Sequence, residues 1–253
     1  MGKKKNKGNI IRKIIFGISL VAFIVSGYML FDIMNEYHKN KASYDDIKEN
    51  YGPEKVEEDG VLKCRFTQED YDKLLAINSD FKGWIYIPNT NVDYPIVQGS
   101  DNDYYLHHNF NKEENDGGAI FIASEIENPF TDVNTIIHGH HMKDGSMFAS
   151  LKEFKDDEDF FNKNRKVYII TKDDVLVYEI FSVYYQKANT DPYKYGFASD
   201  EDYVNFLNEL KNKSMHYIEQ EPFTKDDKII TLSTCTYEVD DGRLLLHARL
   251  IQN

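Results

Sequence analysis

Ile229-Ile230-Thr231-Leu232-Ser233-Thr234-Cys235 is followed, after a short polar segment, by Gly242-Arg243-Leu244-Leu245-Leu246-His247-Ala248-Arg249. Both runs read as β-strands, the last two of the chain, over Lys228 to Thr234 and Arg243 to Ile251. One ends at a thiol and the next begins at an arginine. A cysteine attacks only as thiolate, so a catalytic one needs a cationic or proton-accepting neighbour and some access to solvent. Arg243 is one such neighbour. The cluster His138-Gly139-His140-His141, about a hundred residues upstream, supplies the other kind. Read without further context, a cysteine at a strand end is a packing residue as readily as a nucleophile.

Working outward, the period-2 pattern marks six more strands. Trp84 to Ile87 and Val92 to Val97 flank the turn Pro88-Asn89-Thr90-Asn91, and further strands fall at Gly118 to Ala123, Val133 to His138 and Lys166 to Thr171. Asp173-Asp174 turns the chain into Val175 to Tyr185. Thr67-Gln68-Glu69-Asp70 resembles a capping box before a helix carrying Tyr71, Leu74 and Leu75. Ser199-Asp200-Glu201-Asp202 caps a second helix with the apolar face Tyr203, Phe206, Leu207 and Leu210. Asp101 to Phe110 reads as a short helix, Phe148 to Phe161 as one or two more, and Lys187 to Ala198 as an irregular loop. The fold class expected is mostly β: an eight-stranded barrel, which leaves no exposed edge, with a helix before the first strand and one between strands 6 and 7.

The chain has 253 residues, 41% of them hydrophobic, enough for one substantial core. Its net charge of −13 is unevenly placed. Six of the basic residues (Lys3, Lys4, Lys5, Lys7, Arg12, Lys13) precede residue 32 with no acidic one, leaving 24 basic and 43 acidic side chains in 32–253. That acidity argues against nucleic acid as a partner. Ile14 to Phe31 is uncharged and long enough to cross a bilayer core as a helix. The expected organisation is a basic cytoplasmic tail (1–13), a transmembrane anchor (14–31), a charged stalk with some helical character (32–64) and a catalytic domain (65–253) outside the cell. A cleaved signal peptide shares the same charged and apolar pattern and is the competing reading. The chain has two cysteines, Cys64 and Cys235. Outside the cell, a disulfide between them is the alternative to a free, reactive Cys235.

The Thr-Leu-x-Thr-Cys run resembles the signature of the sortases, and Gly139-His140-His141-Met142-Lys143-Asp144-Gly145-Ser146-Met147-Phe148 is similar to the histidine segment of their class B. The resemblance covers roughly residues 65 to 253. It implies a membrane-anchored cysteine transpeptidase of Gram-positive bacteria, whose barrel has the helices already noted. Such an enzyme cuts a C-terminal sorting motif of a secreted protein through a thioester and joins the new carboxyl end to a cell-wall peptidoglycan amine. Carried onto this sequence, Cys235 is the nucleophile, His140 the acid/base and Arg243 the stabilising cation. Spacing alone does not choose His140 over His138 and His141, nor Arg243 over Arg249; the family pattern does. Ser233, two positions before Cys235 and so on its side of the strand, lines the substrate groove by the same resemblance. Asn102 and Leu106 border that groove in the matching family stretch, although helix capping by Asp101 and core packing by Leu106 explain the segment too. No cofactor and no metal are expected.

Two other classes fit parts of the pattern. His138, His140 and His141 with Asp144 offer nitrogen and oxygen ligands of a kind zinc accepts, as in a metal-dependent hydrolase. A non-catalytic, membrane-tethered binding barrel needs none of this chemistry and predicts that alkylating Cys235 leaves function untouched.

Overall fold

The computed structural model describes residues 4–58, 61–187, 193–236 and 241–252. The chain forms two compact units, Met1–Ala42 and Ser43–Asn253. Helix α1, Lys4–Tyr51, makes up the first unit and continues into the second. In the first unit its apolar side chains are exposed all round, Phe16, Phe23 and Phe31 among them. The segment is long and apolar enough to cross a membrane, with a mean hydropathy of 2.4 in its most apolar window. A helical segment whose exposed side chains are apolar on every side has the composition of a membrane span.

The second unit is a closed barrel of eight strands. They are β3 (Phe81–Tyr86), β4 (Asp93–Val97), β5 (Ile120–Ile122), β6 (Asn134–His138), β7 (Lys166–Ile170), β8 (Val175–Lys187), β9 (Ile229–Thr236) and β10 (Gly242–Gln252). Their order around the barrel is β10-β8-β7-β3-β4-β5-β6-β9. The β4–β5 and β6–β9 pairings are parallel and the others antiparallel. Trp84, Ile85, Tyr178, Phe181, Leu232 and Leu246 are among the fully buried side chains of its core. Each fully buried aliphatic or aromatic side chain contributes about 1.5–3 kcal/mol relative to exposure.

The two capped helices stand where the sequence places them. Helix α2, Gln68–Ile77, starts where the Thr67 hydroxyl accepts from Asp70 N at 3.1 Å. Helices α3 (Glu153–Asp156) and α4 (Glu158–Lys163) follow a 3-10 turn at Ala149–Lys152. Helix α5, Asp200–Lys213, lies between the sixth and seventh barrel strands, capped by Ser199. Tyr203 ties it to the barrel by donating to the carbonyls of Val133 and Asp227 at 2.9 and 2.7 Å.

Two expectations need correction. The stalk assigned to 32–64 is largely part of the compact unit, which begins at Ser43. Tyr44 and Ile47 of α1 are buried and Tyr51 packs against the same core, at helical spacing. The Tyr44 hydroxyl donates to the Gly118 carbonyl at 2.8 Å. Strands β1 (Glu54–Glu58) and β2 (Val61–Arg65) then pair as an antiparallel hairpin that carries the buried Cys64. The helix expected over 101–110 shrinks to a 3-10 turn at Tyr104–Leu106. Asp101 caps it by accepting from the amides of Asp103 and Tyr104. The Tyr105 and His107 carbonyls then accept from Ala119 and Asn115 rather than from a further helical turn. Gly118 makes that return possible: it sits at φ +56°, and a Cβ there would lie 2.5 Å from the Tyr105 carbonyl oxygen.

Candidate active site

Parallel pairing of β6 with β9 brings their C-terminal ends together, and antiparallel pairing of β9 with β10 brings the start of β10 to the same end. His138, Cys235 and Arg243 therefore converge from positions 138, 235 and 243 by strand topology alone. Cys235 is directly opposite Arg243 in the β9–β10 register. Both line a cleft of about 330 Å³ together with Asn102, Leu106, Phe121, His138, His140, Tyr193, Tyr195 and Ser233. Every one of the six residues singled out from sequence borders this single cleft.

The histidine loop is shaped by Gly139. Its amide extends the strand pairing by donating to the Ser233 carbonyl at 3.1 Å. A Cβ there would lie 2.5 Å from Ile120 Cδ1 and 2.7 Å from Phe148, so only glycine lets the chain pass this close. The loop returns through Gly145 at φ +85°, closed by Phe148 N donating to the His140 carbonyl at 2.9 Å. Nε2 of His140 is 2.8 Å from the Leu106 carbonyl oxygen, the group released by the shortened 3-10 turn. Nδ1 of His141 lies 3.1 Å from the Cys235 carbonyl oxygen and ties the loop to the end of β9.

The thiol of Cys235 stands at the end of β9 with Arg243 as its cross-strand partner. Both cysteines are free, so the disulfide reading is overturned: Cys64 is buried and Cys235 half-buried. Burial pushes the Cys64 thiol up to about 11, away from thiolate. Arg243 Nη1 donates to the Gly242 carbonyl at 3.1 Å and reaches Asp241 Oδ1 at 3.2 Å. The Tyr193 hydroxyl is 2.7 Å from Ser233 Oγ, and burial raises its pKa while Ser233 and Arg243 partly offset this. Arg249, at the far end of β10, instead donates to Asp227 Oδ1 at 2.8 Å and covers the Phe223 ring. Their six-residue separation along the strand amounts to ~20 Å.

The side chain of Asn102 is held by its surroundings, with Nδ2 donating to Glu125 Oε2 and Oδ1 accepting from Ser124 N, both at 2.8 Å. Glu125, Phe121, Tyr193 and the tie from His141 were not legible as site residues. Phe121 sat in a run read only as a strand, and Tyr193 in the irregular loop 187–198, which is expected to help form the motif pocket but in which no pattern selects an individual residue. Of the loop 187–198, residues 188–192 lie outside the described residues.

The three histidines do not form a ligand set. His138 packs against Phe121 and Tyr193, His140 bonds the Leu106 carbonyl and His141 the Cys235 carbonyl. Among the described residues no three His, Cys, Asp or Glu side chains gather to hold a metal ion. What the cleft does bring together is a thiol, an imidazole and a guanidinium, which suits acyl transfer through a thioester.

A sortase-domain family profile matches residues 85–251. Sortase B of Listeria monocytogenes is 36% identical over 238 residues, covering 92% of this chain and 94% of that protein. Among solved structures, sortase B of Bacillus anthracis in complex with AAEK1 superimposes with a TM-score of 0.73 at 36% identity, covering 87% of this chain and all of that one. Sortase B of Clostridium perfringens gives a TM-score of 0.68 at 40% identity, over 72% of this chain and 99% of its own.

Proposed function

The chain belongs to the class B sortases, cysteine transpeptidases of cell-wall anchoring, and from that premise we propose that Cys235 is its nucleophile, His140 its acid/base and Arg243 its charge stabiliser. The observation that carries this reading is the cross-strand pairing of Cys235 with Arg243 in the cleft that also holds His140. The thiolate of Cys235 attacks the carbonyl carbon of the scissile amide. Arg243 faces the negative charge that develops on the carbonyl oxygen. Protonated His140 gives its proton to the leaving amine as the C–N bond breaks, leaving a thioester on Cys235. An incoming amine then attacks the thioester, His140 takes its proton, a new amide forms and the thiolate departs.

Sortases act on secreted proteins with C-terminal sorting motifs and on cell-wall amines. For this chain, Ser233, Asn102 and Leu106 border the groove the motif would occupy. The localisation that fits is a single-pass membrane protein: residues 1–13 cytoplasmic, 14–31 in the bilayer, the catalytic unit outside. The exposed apolar helix and the basic tail before it support this orientation.

Incubating the full-length chain in detergent with a panel of sorting-motif peptides, followed by mass spectrometry, tests the assignment. An acyl adduct should form on Cys235 and be absent from Cys235→Ala. Transpeptidation retained by Cys235→Ala overturns it.

A further inference from the structure

The bond between His141 and Cys235 lies where the backbone ladder of β6 and β9 stops. His138 is in register with Ser233, and the Gly139 amide donates to the Ser233 carbonyl at 3.1 Å. The next bond of such a parallel ladder, two residues on, would run from the His141 amide to the Cys235 carbonyl. By then β6 has ended, at His138, and it is the imidazole Nδ1 of His141 that reaches this carbonyl, at 3.1 Å. A carbonyl only accepts, so Nδ1 carries a hydrogen and donates it. The backbone of His141 pairs with Met147, and the His140 carbonyl accepts from Phe148 N at 2.9 Å, which closes residues 140 to 148 into a small hairpin. Tyr94 anchors its returning arm, the hydroxyl accepting from Met147 N at 3.0 Å. The outgoing arm carries His140, whose Nε2 meets the Leu106 carbonyl at 2.8 Å. On the side of the nucleophile, His141 fastens that arm to the very residue that bears the thiol.

We propose that His141 is a positioning residue for acyl transfer: by donating from Nδ1 to the backbone carbonyl of Cys235, it fixes the separation between the His140 imidazole and the Cys235 thiol. This deepens the reading of Cys235 and His140 as the reacting pair and rests on it. The two groups come from distant parts of the chain, and a misplacement of ~1 Å between reacting groups costs on the order of 10² in rate. His141 directly follows His140, so a bond made by one residue limits how far the other drifts. That bond involves neither the thiol sulfur nor the peptide, so its loss falls on the chemical step and spares binding. Asparagine can replace it, because its amide nitrogen branches from Cγ as Nδ1 does and also donates. An amide does not exchange a proton near neutral pH, so asparagine preserves the tie while removing any acid/base capacity at this position.

The test uses the full-length chain in detergent and a panel of sorting-motif peptides, with kcat and KM for transpeptidation measured separately. His141→Phe, which keeps a flat ring but has no donor, should lower kcat by ~10–10² and leave KM within about two-fold of the native value. His141→Asn should keep kcat within about three-fold of native. His141→Leu serves in place of the phenylalanine variant if circular dichroism shows that the latter is not folded. A folded His141→Phe or His141→Leu protein with native kcat overturns the proposal, as does a loss confined to KM. Equal losses of kcat in the phenylalanine and asparagine variants also overturn it, since they would mark His141 as a proton carrier and not a tie. Failure of every peptide to acylate native Cys235 instead overturns the functional reading itself.

Discussion

Nε2 of His140 lies 2.8 Å from the carbonyl oxygen of Leu106. A carbonyl has no proton to give, so Nε2 carries one and donates it, which leaves Nδ1 as the nitrogen that can change state. The carbonyl is available because the Tyr104–Leu106 turn stops short of a helix, its neighbouring carbonyls being taken by Asn115 and Ala119. Removing the imidazole should therefore abolish proton transfer while sparing peptide binding. His140→Ala is expected to lower kcat for transpeptidation by ~10²–10⁴ with KM for the sorting peptide little changed. Steady-state kinetics on a peptide pair checks this; a loss confined to KM would argue against the role.

The two arginines of β10 separate by what they touch. Arg243 faces Cys235 across the strand pair, while Arg249 holds Asp227, whose side chain is 11% exposed, and covers Phe223. Arg243→Ala should lower kcat/KM by ~10²–10³ and leave the melting temperature nearly unchanged. Arg249→Ala should do the reverse, costing on the order of 2 kcal/mol by stranding Asp227, less than for a fully buried pair because both groups keep some water. Parallel melts and kinetics on the two variants separate the roles. Equal effects on activity would contradict the assignment.

Much of this arrangement was legible in the sequence, for identifiable reasons. The barrel strands are short runs rich in β-branched and aromatic residues between turn signals, and the caps at Thr67 and Ser199 stand three residues before the amides they accept from. Tyr44, Ile47 and Tyr51 also have helical spacing, but they are diluted among charges, so a docked helix end read as a stalk. The Leu106 carbonyl was out of reach for another reason: side-chain identity says nothing about which backbone acceptors a neighbouring turn leaves open. His138 and His140 are the same residue type two positions apart. What distinguishes them is the turn at Gly139, set by Ile120 and Phe148, which no local pattern encodes.

Asp93 joins the end of α1, the β1–β2 hairpin and the barrel. Its carboxylate accepts from Trp84 Nε1 at 2.7 Å and from Lys55 at 2.6 and 2.8 Å, and pairs with Lys48 at 3.0 Å. Trp84 is fully buried and the Asp93 side chain only 10% exposed, so truncation strands an indole N–H and a half-buried ammonium. Asp93→Ala is expected to cost about 3 kcal/mol, a fall of roughly 6–12 °C in Tm for a unit of this size. Asp93→Asn, which still accepts from the indole, should lose less. Thermal melts in which the two variants match the native chain would show that this junction adds nothing.

Acid should weaken the fold before its carboxylates titrate, and His247 shows why. The Thr231 hydroxyl donates to Asn134 Oδ1 at 2.9 Å, so it accepts from His247 Nδ1–H at 3.0 Å. That leaves Nε2 a bare lone pair in the core, with no partner among the described residues. Charging it is opposed first by burial and then by Lys213, and its pKa falls from 6.5 to about 3; that of His138 falls to about 4. Above 6.5 both rings are neutral in the folded and the unfolded chain, and their contribution to stability is fully present. Below it the unfolded chain takes up protons that the folded one refuses, so stability declines as pH falls towards 3–4. The slope approaches ~1.4 kcal/mol per pH unit for each histidine. Urea midpoints measured from about pH 7 to about pH 5 should drop for the native chain. His247→Asn, whose amide can still donate to Thr231 but does not titrate, should lose up to about half of that pair's slope. An identical pH dependence in this variant would mean that His247 is not the refused site.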